Sequence, residues 1–200
     1  MNNIVYEIGT SLYINATNRC SNACTFCVRN NPEFVYGDLW LDEEPAAEEI
    51  IAKLKKRDLA KYTEIVFCGY GEPTYRMDVI EAVSKFAHEN GLKTRINTNG
   101  HANRINGKDV TQAIVDNIDT IGISLNDVTK KDYQEICNPM YEDGFEEMLS
   151  FAKLCIEKGG NVIFSVVDVI GKAKIAKAQQ IADSMGAKLR VREEIKWQEA

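Results

Sequence analysis

Cys20, Cys24 and Cys27 stand in a C-x3-C-x2-C spacing within eight residues, close enough for one loop to offer three thiolates to a single metal centre. A closed structural zinc site takes four protein ligands, usually as two separated pairs, and no second pair follows here. Three thiolates without an obvious fourth suit a [4Fe-4S] cluster that leaves one iron to an outside ligand. The other cysteines are isolated. Cys68 ends an apolar run, Cys137 falls in a polar stretch and Cys155 continues the apolar stripe of a helix, so structural or inert roles are expected for them. A rival reading makes the trio part of a non-catalytic zinc or iron-sulfur module, with Cys68 or His101 as a distant fourth ligand.

The elements that must position these residues form a repeating rhythm. Short β-rich runs at Leu12 to Thr17, Thr63 to Cys68, Lys93 to Thr98, Thr120 to Leu125, Val162 to Val169 and Lys188 to Val191 alternate with amphipathic helical stretches. Helical spacing is clearest in Val79, Val83, Phe86 and Ala87, and again in Phe145, Met148, Leu149 and Ala152. Gly91, Gly159 and Gly186 follow periodic segments where a left-handed helix stop would sit. Such alternation predicts an α/β fold of parallel strands joined by right-handed crossovers, six strand-helix units less the last helix. Periodicity alone does not decide between an open sheet and a barrel. In a parallel barrel the loops leaving the strand ends open on one face. The cysteine loop, Gly69-Tyr70-Gly71-Glu72-Pro73, Asn97-Thr98-Asn99-Gly100-His101 and Ser124-Leu125-Asn126-Asp127 all fall there. The longest non-periodic stretch, Arg19 to Leu41, holds the cysteines.

Composition bounds the remaining choices. Two hundred residues, 44% of them hydrophobic, predict one domain over residues 1–200 with a continuous core. A disulfide miniprotein and a disordered chain are excluded. No apolar run is long enough for a membrane span, and Met1-Asn2-Asn3 opens no secretory signal, so a reducing cytoplasm is expected. A net charge of -6 argues against nucleic acid and for a small molecule or a protein as substrate.

Cys20-x3-Cys24-x-Phe26-Cys27, with an aromatic residue just before the last cysteine, resembles the signature of the radical S-adenosylmethionine (SAM) enzymes. The resemblance covers nearly the whole chain and implies a parallel partial (β/α)6 barrel. It also implies a [4Fe-4S] cluster held by Cys20, Cys24 and Cys27, with SAM as the second cofactor. Gly71, Glu72 and Pro73 resemble the family's glycine-glutamate motif, which meets the SAM amino group, although Tyr70 stands where many members have a first glycine. Asn97, Asn99 and Ser124 fall where the family handles the SAM ribose and carboxylate, and Ile170 lies in the segment that covers adenine. Among subgroups, the chain is most similar to the small radical SAM proteins linked to TatD-type hydrolases. It is also similar to 7-carboxy-7-deazaguanine synthases and to glycyl-radical enzyme activases. The implied chemistry is reductive cleavage of SAM to methionine and a 5′-deoxyadenosyl radical that abstracts hydrogen from a substrate.

Plainer readings stand beside these. Glu72 would be solvated in a surface turn, and Asn97, Asn99 and Gly100 would form a simple strand-to-helix turn. His88 lies on the polar side of its helix, and His101 is either an ordinary loop residue or one facing the substrate or metal. Arg29, Arg190 and Arg192 would hold an acidic group at the mouth or pair with rim carboxylates. Lys53, Lys55, Lys56 and Arg57 form a basic run, either a solvated helix end or a dock for a flavodoxin- or ferredoxin-type electron donor.

Overall fold

Ile14, Phe67, Ile96, Ile123 and Phe164 all point to one side of a seven-stranded sheet and share one buried cluster with the helices that cover it. The computed structural model describes residues 3–30 and 37–194; the chain ends and residues 31–36, inside the Arg19–Leu41 stretch, lie outside the described residues. Strands β1 (Val5–Ile8) and β2 (Ser11–Ile14) form an antiparallel hairpin across Gly9-Thr10. From β2 onward the sheet is parallel and in chain order: β3 (Glu64–Phe67), β4 (Lys93–Thr98), β5 (Thr120–Ser124), β6 (Val162–Val167) and β7 (Lys188–Arg192). The crossovers carry α1 (Ala47–Leu54), α2 (Met77–Glu89), the pair α3 (Ala102–Asn106) and α4 (Thr111–Asn117), the pair α5 (Lys130–Cys137) and α6 (Gly144–Glu157), and α7 (Lys172–Met185).

The six expected runs are the six parallel strands, and β1 is the addition. Its Ile4-Val5-Tyr6-Glu7-Ile8 segment and the following Gly9 carry an ordinary hairpin pattern that the strand-helix rhythm conceals. Two ends also move. The first run stops at Ile14 because the side chain of Asn15 turns to the Leu39 carbonyl, and the fifth stops at Val167, where Asp168–Ile170 close a 3-10 turn. The expected helix faces pack inward: Val79, Val83, Phe86 and Ala87 on α2, and Met148, Ala152 and Cys155 on α6, are buried. Gly91, Gly159 and Gly186 are all left-handed, at φ of 74°, 86° and 71°. Among the described residues no helix is long and apolar enough to cross a membrane.

The other face of the sheet is polar. Ser11 and Arg95 both bond the Glu64 carboxylate, at 2.8 Å each, and Arg95 also reaches Asn97 at 3.0 Å. Burial works against the Glu64 charge, yet the Arg95 guanidinium and the Ser11 hydroxyl hold its carboxyl below the usual range, with Arg190 adding to the effect. The fold is of the α/β partial-barrel type, a seven-stranded sheet parallel in all but its first strand.

Candidate active site

The loops after β2, β3 and β4 meet at the carboxyl end of the sheet, and two glycines let them meet. A Cβ on Gly69 would lie 2.1 Å from Asn15 Oδ1, and one on Gly71 would lie 2.3 Å from the Thr17 carbonyl oxygen and 2.6 Å from that of Arg19. Asn15, fully buried, accepts the Tyr70 N–H at 3.3 Å. The Glu72 N–H donates to the Arg19 carbonyl at 2.7 Å, so the chain just before the cysteines lies against the chain just before Glu72. Tyr70 is buried beside Tyr6 and Leu39 and edge-on to Trp40. Its side chain thus leaves the backbone approach to its two flanking glycines.

Glu72 is buried and receives four hydrogen bonds. Oε1 accepts from Thr74 N at 3.2 Å, Thr74 Oγ1 at 2.8 Å and Thr98 Oγ1 at 2.7 Å, and Oε2 accepts from Asn99 N at 2.7 Å. Burial raises its pKa while these neutral donors pull it back. The surface-turn reading of Glu72 is thereby corrected. Asn99 extends the network, since its side-chain amide donates to Ser21 Oγ at 2.9 Å and faces Cys20 Sγ at 3.8 Å. Asn97 and Ser124 stand on the inner polar face at the ends of β4 and β5. Ile170 sits in the turn after β6, packed against the main core, and Phe26 is 49% exposed.

His101 is corrected too. It is fully buried, with Nδ1 at 3.0 Å from Ser21 Oγ and Nε2 at 2.9 Å from the Gly144 carbonyl oxygen. The Gly144 oxygen can only accept, which assigns the proton to Nε2 and leaves Nδ1 to accept from Ser21. Burial lowers its pKa, and neither ring nitrogen is available to a metal or a substrate. His88 is exposed, as expected, and bonds Asp119 Oδ2 at 3.0 Å. Arg29 bonds the carbonyls of Asn18 and Asn22, and so braces the cysteine loop from behind. Arg190 and Arg192 are exposed on β7. In the basic run, Lys53 pairs with Glu49 and Arg57 with Glu7, at the end of α1 that leads into the start of β3. That places the run at the opposite end of the sheet from the cysteines.

The three cysteine thiols are free and share one loop, and among the described residues no group of three or more histidine, cysteine or carboxylate side chains is gathered as an ion would gather them. The loop lies against the end of α5. Cys137, expected in a polar loop, is the last residue of that helix and fully buried, and its carbonyl accepts the Ala23 N–H of the cysteine loop at 3.1 Å. The neighbouring Cys137 thiol and burial push the Cys24 thiol up, while Cys24 and the bond from Asn126 Nδ2, at 3.2 Å, bring Cys137 down. Burial, reinforced by Glu72, pushes Cys20 up to about 11. The donor set nevertheless fits an iron-sulfur cluster. Three thiols come from eight residues, the Asn22 N–H and the Asn99 amide face the Cys20 sulfur, and the buried Glu72 lies one loop away. Sequence reasoning missed Asn15, Ser21, Thr98, Asn126 and Cys137. Ser21, Thr98 and Asn126 carried a local hint, since they stand in strand-end loops already singled out.

The Radical SAM superfamily profile matches residues 14–183. The chain belongs to the radical SAM superfamily, whose members are enzymes that bind a [4Fe-4S] cluster and SAM. Among solved structures it is similar to Streptococcus suis SuiB bound to SAM, at a TM-score of 0.73 and 16% identity, covering 96% of this chain and 42% of that one. It is also similar to S. suis SuiB bound to its precursor peptide SuiA, at 0.71 and 16%, covering 94% and 40%. A third is the FeFe-hydrogenase maturase HydG from Carboxydothermus hydrogenoformans, at 0.65 and 16%, covering 92% and 44%. At such identities the likeness shows the fold, and the chain spans less than half the length of these three proteins. No curated protein sequence matches the chain.

Proposed function

We propose that Cys20, Cys24 and Cys27 hold a [4Fe-4S] cluster and that the loops carrying Glu72, Asn97, Asn99 and Ser124 hold SAM beside it. The observation that carries this reading is the reach of one residue. Asn99 touches Glu72 with its backbone and faces Cys20 with its side chain, so metal-binding and carboxylate chemistry share one end of the sheet. When bound, the two cofactors supply reductive cleavage of SAM to methionine and a 5′-deoxyadenosyl radical.

The protein's own part is to bind, orient and exclude water. Glu72 Oε2 accepts one hydrogen bond and retains acceptor capacity for an ammonium group. Such a partner offsets the burial cost of the carboxylate, and the carboxylate fixes the direction of the partner. Asn97 and Ser124 present polar groups along the inner face, and Ile170 with Phe26 offers apolar surface for a purine. The substrate, a small molecule or a protein segment, enters along that face. SuiB with its peptide SuiA is a precedent of fold for the second kind. The subgroup linked to TatD-type hydrolases, a TatD-type partner, a flavodoxin- or ferredoxin-type donor, one domain over residues 1–200 and a cytoplasmic setting complete the proposal. With the basic run at the far end of the sheet, the donor is better placed on the cysteine loop, near the half-exposed Phe26.

Anaerobic reconstitution tests this directly. About four irons per chain and release of 5′-deoxyadenosine from SAM on reduction are expected. A single tightly held zinc, or a reconstituted protein that leaves SAM intact, would overturn it.

A further inference from the structure

Cys137 is the buried, potentially nucleophilic group that the proposed chemistry does not use, and the backbone around it is arranged against the cysteine loop. Asn22 forms an antiparallel bridge with Pro139, and Ala23 N donates to the Cys137 carbonyl at 3.1 Å. Thr25 N donates to the Ile136 carbonyl at 2.9 Å. The Ala23 and Thr25 N–H groups thus bond on either side of Cys24 to the end of α5, which sets the Cys24 backbone against Cys137. Directly hydrogen-bonded backbones lie about as close as a disulfide requires, with Cα atoms roughly 4.4–6.8 Å apart. Cys24 packs against the buried cluster that contains Cys137, and the Asn126 amide, itself buried, fixes the Cys137 sulfur at 3.2 Å.

We propose that in the cluster-free chain Cys24 and Cys137 are a redox pair that closes into a disulfide with a low-molecular-weight disulfide such as oxidised glutathione. Cys24 is partly exposed and Cys137 fully buried, so the reagent meets Cys24 first. The Cys24 thiol forms a mixed disulfide and one glutathione thiol leaves with the proton. The Cys137 sulfur then attacks the Cys24 sulfur, and the second glutathione thiol leaves. Two cysteines are oxidised by two electrons and one oxidised glutathione becomes two reduced ones. The linkage stands on geometry alone. Its consequence rests on the proposed ligand role of Cys24: a sulfur held in a disulfide is lost to iron, so Cys137 gates cluster loading by redox state.

The test needs no iron. Reduced, cluster-free wild-type chain is exposed to oxidised glutathione, its thiols are counted after denaturation, and a tryptic digest is mapped by mass spectrometry. The expected thiol count falls from six to four. Cys20, Cys24 and Cys27 share the tryptic peptide 20–29, and Cys137 lies in 132–153, so one cross-linked pair of peptides is expected. Cys24→Ser and Cys137→Ser each remove that pair, whereas Cys20→Ser and Cys27→Ser keep it. A count that stays at six overturns the proposal, as do a stable glutathione adduct on Cys24 and links confined to 20–29. Because the wild-type map stands without any variant or cofactor, its outcome is independent of whether the protein cleaves SAM.

Discussion

The backbone N–H of Asn99 meets Glu72 Oε2 at 2.7 Å, so the loop after β4 is tied to the loop after β3 through one buried carboxylate. Thr98 shares the task from the other oxygen, and its hydroxyl also accepts the Gly100 N–H at 3.1 Å. Thr98→Val keeps the shape but leaves a buried charge one donor short and a buried N–H unpaired. A loss of about 2 kcal/mol is expected, which is a fall of roughly 4–8 °C in melting temperature. Differential scanning calorimetry of the two proteins checks it; an unchanged midpoint would remove Thr98 from the network.

Glu72→Gln separates metal from cofactor. The substitution lies outside the cysteine loop, so iron content after reconstitution should match the wild type. SAM affinity should drop about 10–100-fold through loss of one charged hydrogen bond. Isothermal titration of anaerobic protein reads both, and equal affinities would show that Glu72 only ties loops together.

Gly71 and Gly91 give a contrast between crowding and conformation. A methyl group at Gly71 collides with two carbonyl oxygens, while at Gly91 it meets nothing within 4 Å and pays only for φ of 74°. Gly71→Ala is expected to cost about 3 kcal/mol or more, and Gly91→Ala about 1 kcal/mol. Urea unfolding ranks the two, and a reversed order would contradict the close approach of the loops.

His101 makes stability depend on pH. Burial holds its folded pKa below the ordinary 6.5 or so, and the unfolded chain therefore binds the extra proton first. Its contribution is complete above that ordinary value and is lost as pH falls toward the folded pKa, by at most about 1.4 kcal/mol per pH unit. His101→Gln should be less stable than wild type at pH 7.5, with the gap narrowing at pH 5.5. Urea midpoints at the two pH values test this; a constant gap would mean that His101 carries no titration.

The parts of this molecule that sequence makes legible are those with local causes. Helix stops at Gly91, Gly159 and Gly186 follow from backbone freedom at single positions, and the parallel strands follow from the period of Val79 to Ala87 and of Met148 to Cys155. The cysteine loop and Glu72 were readable from residue type and spacing. What escaped depends on pairs far apart in the chain. Cys137 looked polar because its neighbours are, and only the return of α5 to the first loop brings it to Cys24. His101 looked like a loop residue because nothing local announces that Ser21 and Gly144 close over it. The hairpin strand β1 is different: its pattern is local, but it stands outside the regular strand-helix alternation that begins at Leu12.

The near contact of Gly69 with Asn15 and of Gly71 with Thr17 and Arg19 also bears on engineering. Grafting the cysteine segment alone onto a foreign barrel would import the sulfur donors without the narrow seat they rest on. A transplant that works has to carry both glycines and Asn15 with it, because the recipient's own side chains would otherwise prop the new loop away from its neighbour.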